Sequence, residues 1–98
     1  MKALFFINME HYSEAKNAVY ADDIISRQTV NFREARALGF DKNGYYLEIE
    51  GSSEAIHRVK ELLADKAKEV GGHEKDEVLK KIAEQEESAA EGFGALFG

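Results

Sequence analysis

The sequence predicts a small α+β domain of order β-α-β-β-α, a three-stranded sheet with helices on one face, followed by an acidic helical arm and a flexible tail. Three observations carry this. The segment Lys2–Met9 (KALFFINM) is apolar at both parities. The segment ALGFDKNGYYLEIEG holds an Asn-Gly pair between apolar alternations. The segment Ser52–Val70 repeats apolar residues at helical spacing.

Lys2–Met9 is the first strand. Ala3, Phe5 and Ile7 line one side, Leu4 and Phe6 the other. A strand apolar on both sides lies inside a sheet or is covered on both faces. Ser13 is a good N-cap for the helix that follows, SEAKNAVYADDI, with Ala15, Ala18 and Val19 at helical spacing. Between residues 24 and 36 two readings compete. Thr29–Phe32 alternates as a strand does, whereas Asn31 with Glu34 resembles a helix cap. The hairpin that follows favours a strand from about Val30.

For that hairpin, Asn43-Gly44 fits a type I′ turn, which needs positive φ at both central residues. The turn sets Lys42 against Tyr45, Asp41 against Tyr46, Phe40 against Leu47 and Leu38 against Ile49. One face is then apolar, and the other, with Asp41, Tyr46, Glu48 and Glu50, meets water. Ser52 or Ser53 caps the next helix, where Ala55, Ile56, Val59, Leu62, Leu63, Ala67 and Val70 form one stripe that Gly71-Gly72 ends. Glu74–Ala90 has high helix propensity but a thin stripe of Val78, Leu79 and Ile82, so it is expected to be solvated or weakly docked. The expected division is a compact domain over 1–72 and an arm and tail over 73–98.

Composition narrows the function. The 98 residues are 44% hydrophobic and 33% charged, with a net charge of −6. Ten basic and twelve acidic side chains fall in residues 1–73, three and seven in residues 74–98. An acidic chain of this kind is not expected to bind nucleic acid or an anionic membrane surface through its body. The apolar run Ala3–Ile7 is too short for a signal sequence or a membrane span, so a cytoplasmic setting is expected. With no cysteine, disulfides and thiolate chemistry are excluded.

Candidate chemistry is sparse. His11 with Glu10 could converge with Asp22 and Asp23 into a small metal or acid/base site, but no pair has metal-ligand spacing, and loop or cap roles are the simpler reading. Arg27, Arg33, Arg36 and Lys42 with Tyr45 and Tyr46 have the composition of an RNA-binding sheet face, yet Glu34, Asp41, Glu48 and Glu50 interleave with them. No cofactor and no enzymatic activity are expected.

The segment EESAAEGFGALFG, residues 86–98, stands apart. Phe93, Leu96 and Phe97 are spaced i, i+3, i+4 and project from one side of a helical turn. Gly92, Gly94 and Gly98 weaken an isolated helix, so the segment is expected to fold on a partner groove. Burying three such side chains yields about 5–8 kcal/mol gross. Ordering and association leave roughly micromolar binding. Packing against its own domain or a second copy is the alternative; the oligomeric state is not legible.

This segment resembles the C-terminal tail of the acidic ribosomal stalk proteins of archaea and eukaryotes, in its archaeal form. Those tails have a glutamate-rich helical stretch, a small-residue spacer and a Gly-apolar-x-x-Leu-Phe ending. The resemblance implies that Phe93, Leu96 and Phe97 insert into a groove, that Glu86, Glu87 and Glu91 form the acidic lead-in, and that the partner is a translational GTPase or a related factor. It covers thirteen of 98 residues. Stalk proteins begin with an all-helical dimerisation domain and carry a long flexible hinge, and the strand-rich body here matches neither.

Overall fold

The computed structural model describes the backbone of residues 1–97 and the side chains of residues 1–87. Seven elements follow in order: β1 (Lys2–Asn8), α1 (Tyr12–Ala21), β2 (Thr29–Glu34), β3 (Gly44–Glu50), α2 (Ser53–Leu62), β4 (Ala67–Val70) and α3 (Gly72–Phe97). Short 3-10 turns occupy Met9–His11, Ile25–Arg27 and Arg36–Leu38. The four strands form one sheet in the order β2-β3-β1-β4, each neighbouring pair antiparallel. Two βαβ units thus interleave, β1-α1-β2 around β3 and β3-α2-β4 around β1, the ferredoxin-like arrangement, with α3 added.

The α+β class stands, and three finer expectations are corrected. The sheet has four strands, not three. Residues 67–70, expected to continue the preceding helix, pair instead with β1, Leu4 opposite Val70 and Ile7 opposite Ala67. The α2 helix stops at Leu62, where Lys66 and Ala67 donate their amides back to the Leu63 carbonyl at 3.0 and 2.9 Å. Ala67 and Val70 fit a helical stripe and a strand alike. The open edge of β1, apolar on both sides, decides for the strand.

The second correction is the hairpin. β2 and β3 are joined by a nine-residue connection rather than a two-residue turn: Val30 faces Ile49 and Phe32 faces Leu47, the positions expected for Leu38 and Phe40. Gly44 lies inside β3, and its φ is not positive. Its lack of a side chain serves a close approach, since a Cβ there would collide with the Ile7 carbonyl oxygen and come within 2.7 Å of the Phe6 ring. The β-branched alternation of Thr29–Phe32 wins the pairing, and Leu38 and Phe40 fold onto the sheet from the connection.

The third correction concerns cover. The helices lie on both faces. On the first face α1 contributes Ala15 and Val19, and α2 contributes Ile56 and Val59, packed on Phe5, Ile7, Leu47 and Ile49. On the second face Val78 and Ile82 of α3 pack on Leu4, Tyr46 and Val70. Tyr46 is fully buried and Glu48 nearly so, where water was expected. Glu48 keeps partners there: Asn31 donates to it at 3.3 Å, and the Lys2 ammonium lies 3.7 Å away. Burying Val78 and Ile82 stabilises the docked helix by about 1.5–3 kcal/mol each.

Other local readings fare better. Ser52 caps α2, its hydroxyl accepting from the Ala55 amide at 3.1 Å. Ser13 caps nothing: the 3-10 turn at Met9–His11 runs straight into α1, and His11 holds the cap position without a side-chain hydrogen bond.

Candidate functional site

The α3 helix is both the cover of the second face and the mount for residues 86–98. Its anchors follow one another along the chain. Glu74, in the first turn, accepts from Lys42 at 2.9 Å and from the Tyr46 hydroxyl at 3.4 Å. Lys75 donates to the Lys2 carbonyl at 3.0 Å. Val78 and Ile82 supply the apolar contact. Further on, Gln85 donates to the Ala37 carbonyl at 2.7 Å, and Glu86 accepts from Arg33 at 3.0 Å. The helix therefore crosses the sheet obliquely, from β1 toward the β2 side.

Lys42 titrates higher than usual, first because Glu74 accepts its proton in a hydrogen bond. Burial raises Tyr46, so its hydroxyl stays protonated and donates. These exposed and half-exposed charges hold the helix in register, while the apolar contact supplies most of its affinity for the sheet.

The predicted partner-binding residues divide. Glu86 is engaged with Arg33, and Glu87 is exposed. Glu91, Phe93, Leu96 and Phe97 lie in the last part of α3, and their side chains are outside the described residues.

The basic and aromatic set is not assembled as an open binding face. Arg33 and Lys42 are paired with α3 carboxylates, and Tyr46 is covered. Tyr45 turns to the first face, where its ring stacks on Tyr12 with centroids 3.6 Å apart.

Nor do the residues of the proposed metal or acid/base site converge. His11 and Asp22 flank opposite ends of α1, about 15 Å apart for a ten-residue helix. Asp22 instead organises the chain reversal after α1. It accepts from the Ile24 and Ile25 amides at 2.9 and 3.0 Å and from Arg58 at 2.6 Å. The Ile25 amide and the Arg58 guanidinium hold its carboxyl below the usual range. Among the described residues no group of three or more His, Asp or Glu side chains is placed to hold a metal ion. A cleft of about 350 Å³ opens beside His11, floored by Phe6 and bordered by Asn8, Asp65, Lys66 and Lys68. Within it Lys66 pairs with Asp65 at 3.1 Å.

Sequence reasoning missed Arg33, Lys42 and Gln85 as anchors of α3. Each partner lies more than thirty positions away, so local spacing holds no trace of them. The one available signal was that β1, apolar on both sides, calls for a second cover.

No family model, curated protein or solved structure matches the chain. No helix among the described residues is long and apolar enough to cross a membrane.

Proposed function

We propose that the chain is a non-enzymatic binding module linked to translation, in which the four-stranded domain is the scaffold and residues 86–98 dock in a hydrophobic groove of a translational GTPase or a related factor. The carrying observation is Phe93, Leu96 and Phe97 at i, i+3, i+4 within EESAAEGFGALFG, the pattern shared with the ribosomal stalk tail. Two features support the reading. Val78, Leu79 and Ile82 supply cover of the second face upstream of the segment. The Arg33–Glu86 pair then fastens α3 at the start of the segment.

In this role Phe93, Leu96 and Phe97 enter the groove as one helical turn, and Glu86, Glu87 and Glu91 steer the encounter toward a basic rim. The test is a pull-down and titration of an elongation-type GTPase with the intact chain, with Leu96→Ala, with Phe97→Ala and with a chain cut after Ala90. Loss of binding in all three variants with unchanged melting temperature is the expected result. Equal binding by the cut chain overturns the proposal. A lowered melting temperature or a changed mass in the cut chain points instead to a segment that packs on its own domain or a second copy.

A further inference from the structure

The two edges of the sheet are not alike. β4 is four residues long and carries Lys68 and Glu69, the second tied to Lys60 at 3.2 Å. Short length and charge are the usual protection of an edge strand. β2 is six residues long, holds neither proline nor lysine, and alternates Val30, Phe32 and Glu34 on the face covered by α1 and α2 with Thr29, Asn31 and Arg33 on the α3 face.

Hydrogen bonding fixes which groups of β2 face outward. The Ala35 amide donates to the Gly44 carbonyl at 2.9 Å, in the register that pairs β2 with β3. Alternation from that pair sends the backbone groups of Arg33, Asn31 and Thr29 to β3. The amides and carbonyls of Val30, Phe32 and Glu34 point away from the sheet. Among the described residues, none of these outward groups has a hydrogen-bond partner. Beside them the half-buried Phe32 ring meets Tyr20, centroids 5.9 Å apart, and Tyr20 is 50% exposed.

We infer that β2 pairs antiparallel with β2 of a second copy about a two-fold axis at Asn31, joining two four-stranded sheets into one of eight. The sequence TVNFRE is self-complementary in that register. Val30 meets Phe32 of the second copy, and both residues have outward amides and carbonyls, as a hydrogen-bonded pair needs. Their side chains share the face covered by α1 and α2, so Tyr20 closes over an apolar stripe. On the other face Thr29 meets Arg33, and Asn31 meets its own equivalent. No like charges stand opposite each other. Of the two neighbouring registers that keep the faces together, the one centred on Phe32 sets Val30 against Glu34, and the one centred on Val30 shortens the paired stretch to residues 29–31. The pairing does not rest on the partner proposed for residues 86–98.

The chain has no cysteine, so one introduced thiol reports on this contact without background. At the axis, Asn31 sits in a non-hydrogen-bonded pair with Cα atoms about 4.5 Å apart, within the range that a disulfide spans. Asn31→Cys should oxidise to a covalent dimer at micromolar protein. Asn17→Cys, on the exposed side of α1, should oxidise at least tenfold more slowly. Light scattering should give a dimer mass for the unmodified chain and for the chain cut after Ala90. Thr29→Arg, at an exposed position, should weaken the dimer at least tenfold by setting Arg against Arg33. A monomeric unmodified chain at millimolar concentration, equal oxidation of the two cysteine variants, or a dimer lost in the cut chain overturns the inference.

Discussion

Arg33 on β2 and Glu86 on α3, fifty-three positions apart, meet at 3.0 Å. This ion pair is the last described side-chain tie between α3 and the sheet. Both side chains retain solvent access, 30% and 56% of their surface, so the pair positions the helix more than it stabilises it. A double-mutant cycle with Arg33→Ala and Glu86→Ala should give a coupling under about 1 kcal/mol. The coupling should fall as salt rises. A salt-insensitive coupling of several kcal/mol would contradict this.

Docking of α3 itself depends on the apolar contact. Ile82 is 2% exposed and packs among Leu4, Tyr46 and Leu38. Ile82→Ala should cost about 2–5 kcal/mol in urea unfolding. Lys80→Ala, on the solvent side of the same helix, should leave the midpoint nearly unchanged. Equal effects at the two positions would mean that α3 is not seated on the sheet.

Gly44 and Asn43 distinguish the observed connection from a tight turn. Gly44→Ala pushes a methyl group against the Ile7 carbonyl and the Phe6 ring and should destabilise by about 1–3 kcal/mol. Asn43→Ala should be close to neutral, because Asn43 is exposed and contributes its carbonyl, which accepts from the Met9 amide at 3.0 Å. In a type I′ turn the asparagine would matter as much as the glycine.

Asp22 sets an acid limit. The Ile25 amide and the Arg58 guanidinium hold its carboxyl below the usual carboxylate range. A carboxylate depressed in the folded state contributes stability that is present above its unfolded pKa and lost as pH falls through its folded one. Unfolding midpoints taken from neutral pH down to about pH 2.5 should fall more steeply in the parent chain than in Asp22→Asn, which has no charge to lose. Parallel profiles would remove Asp22 from the account.

Much of the fold is legible in residue order. The two-sided apolarity of Lys2–Met9 called for an interior or doubly covered strand, and β1, at Lys2–Asn8, is both, flanked by β3 and β4 and packed under helices on each face. What failed did so where a tertiary contact overrode a local signal. Asn43-Gly44 is a strong turn pair, yet Gly44 is needed beside Ile7. Val70 fits the stripe of α2, yet β1 had an open edge. The stripe Val78, Leu79, Ile82 is thin for a free-standing amphipathic helix but sufficient for one that covers Leu4, Tyr46 and Val70. The candidate site divides in the same way. The spacing of Phe93, Leu96 and Phe97 can be read directly, whereas the anchoring of α3 through Arg33 and Lys42 depends on pairs that only the fold brings together.

The central place of β1 also dictates the order in which the chain can mature. Ala3 pairs with Ile49 and Leu4 with Val70, so the first strand made is the one that waits longest for its neighbours. Such distant pairings are slow to close. During synthesis the apolar run Ala3–Ile7 leaves the ribosome unpaired and stays so until β3, and then β4, has emerged, the interval in which a nascent chain is most exposed to aggregation.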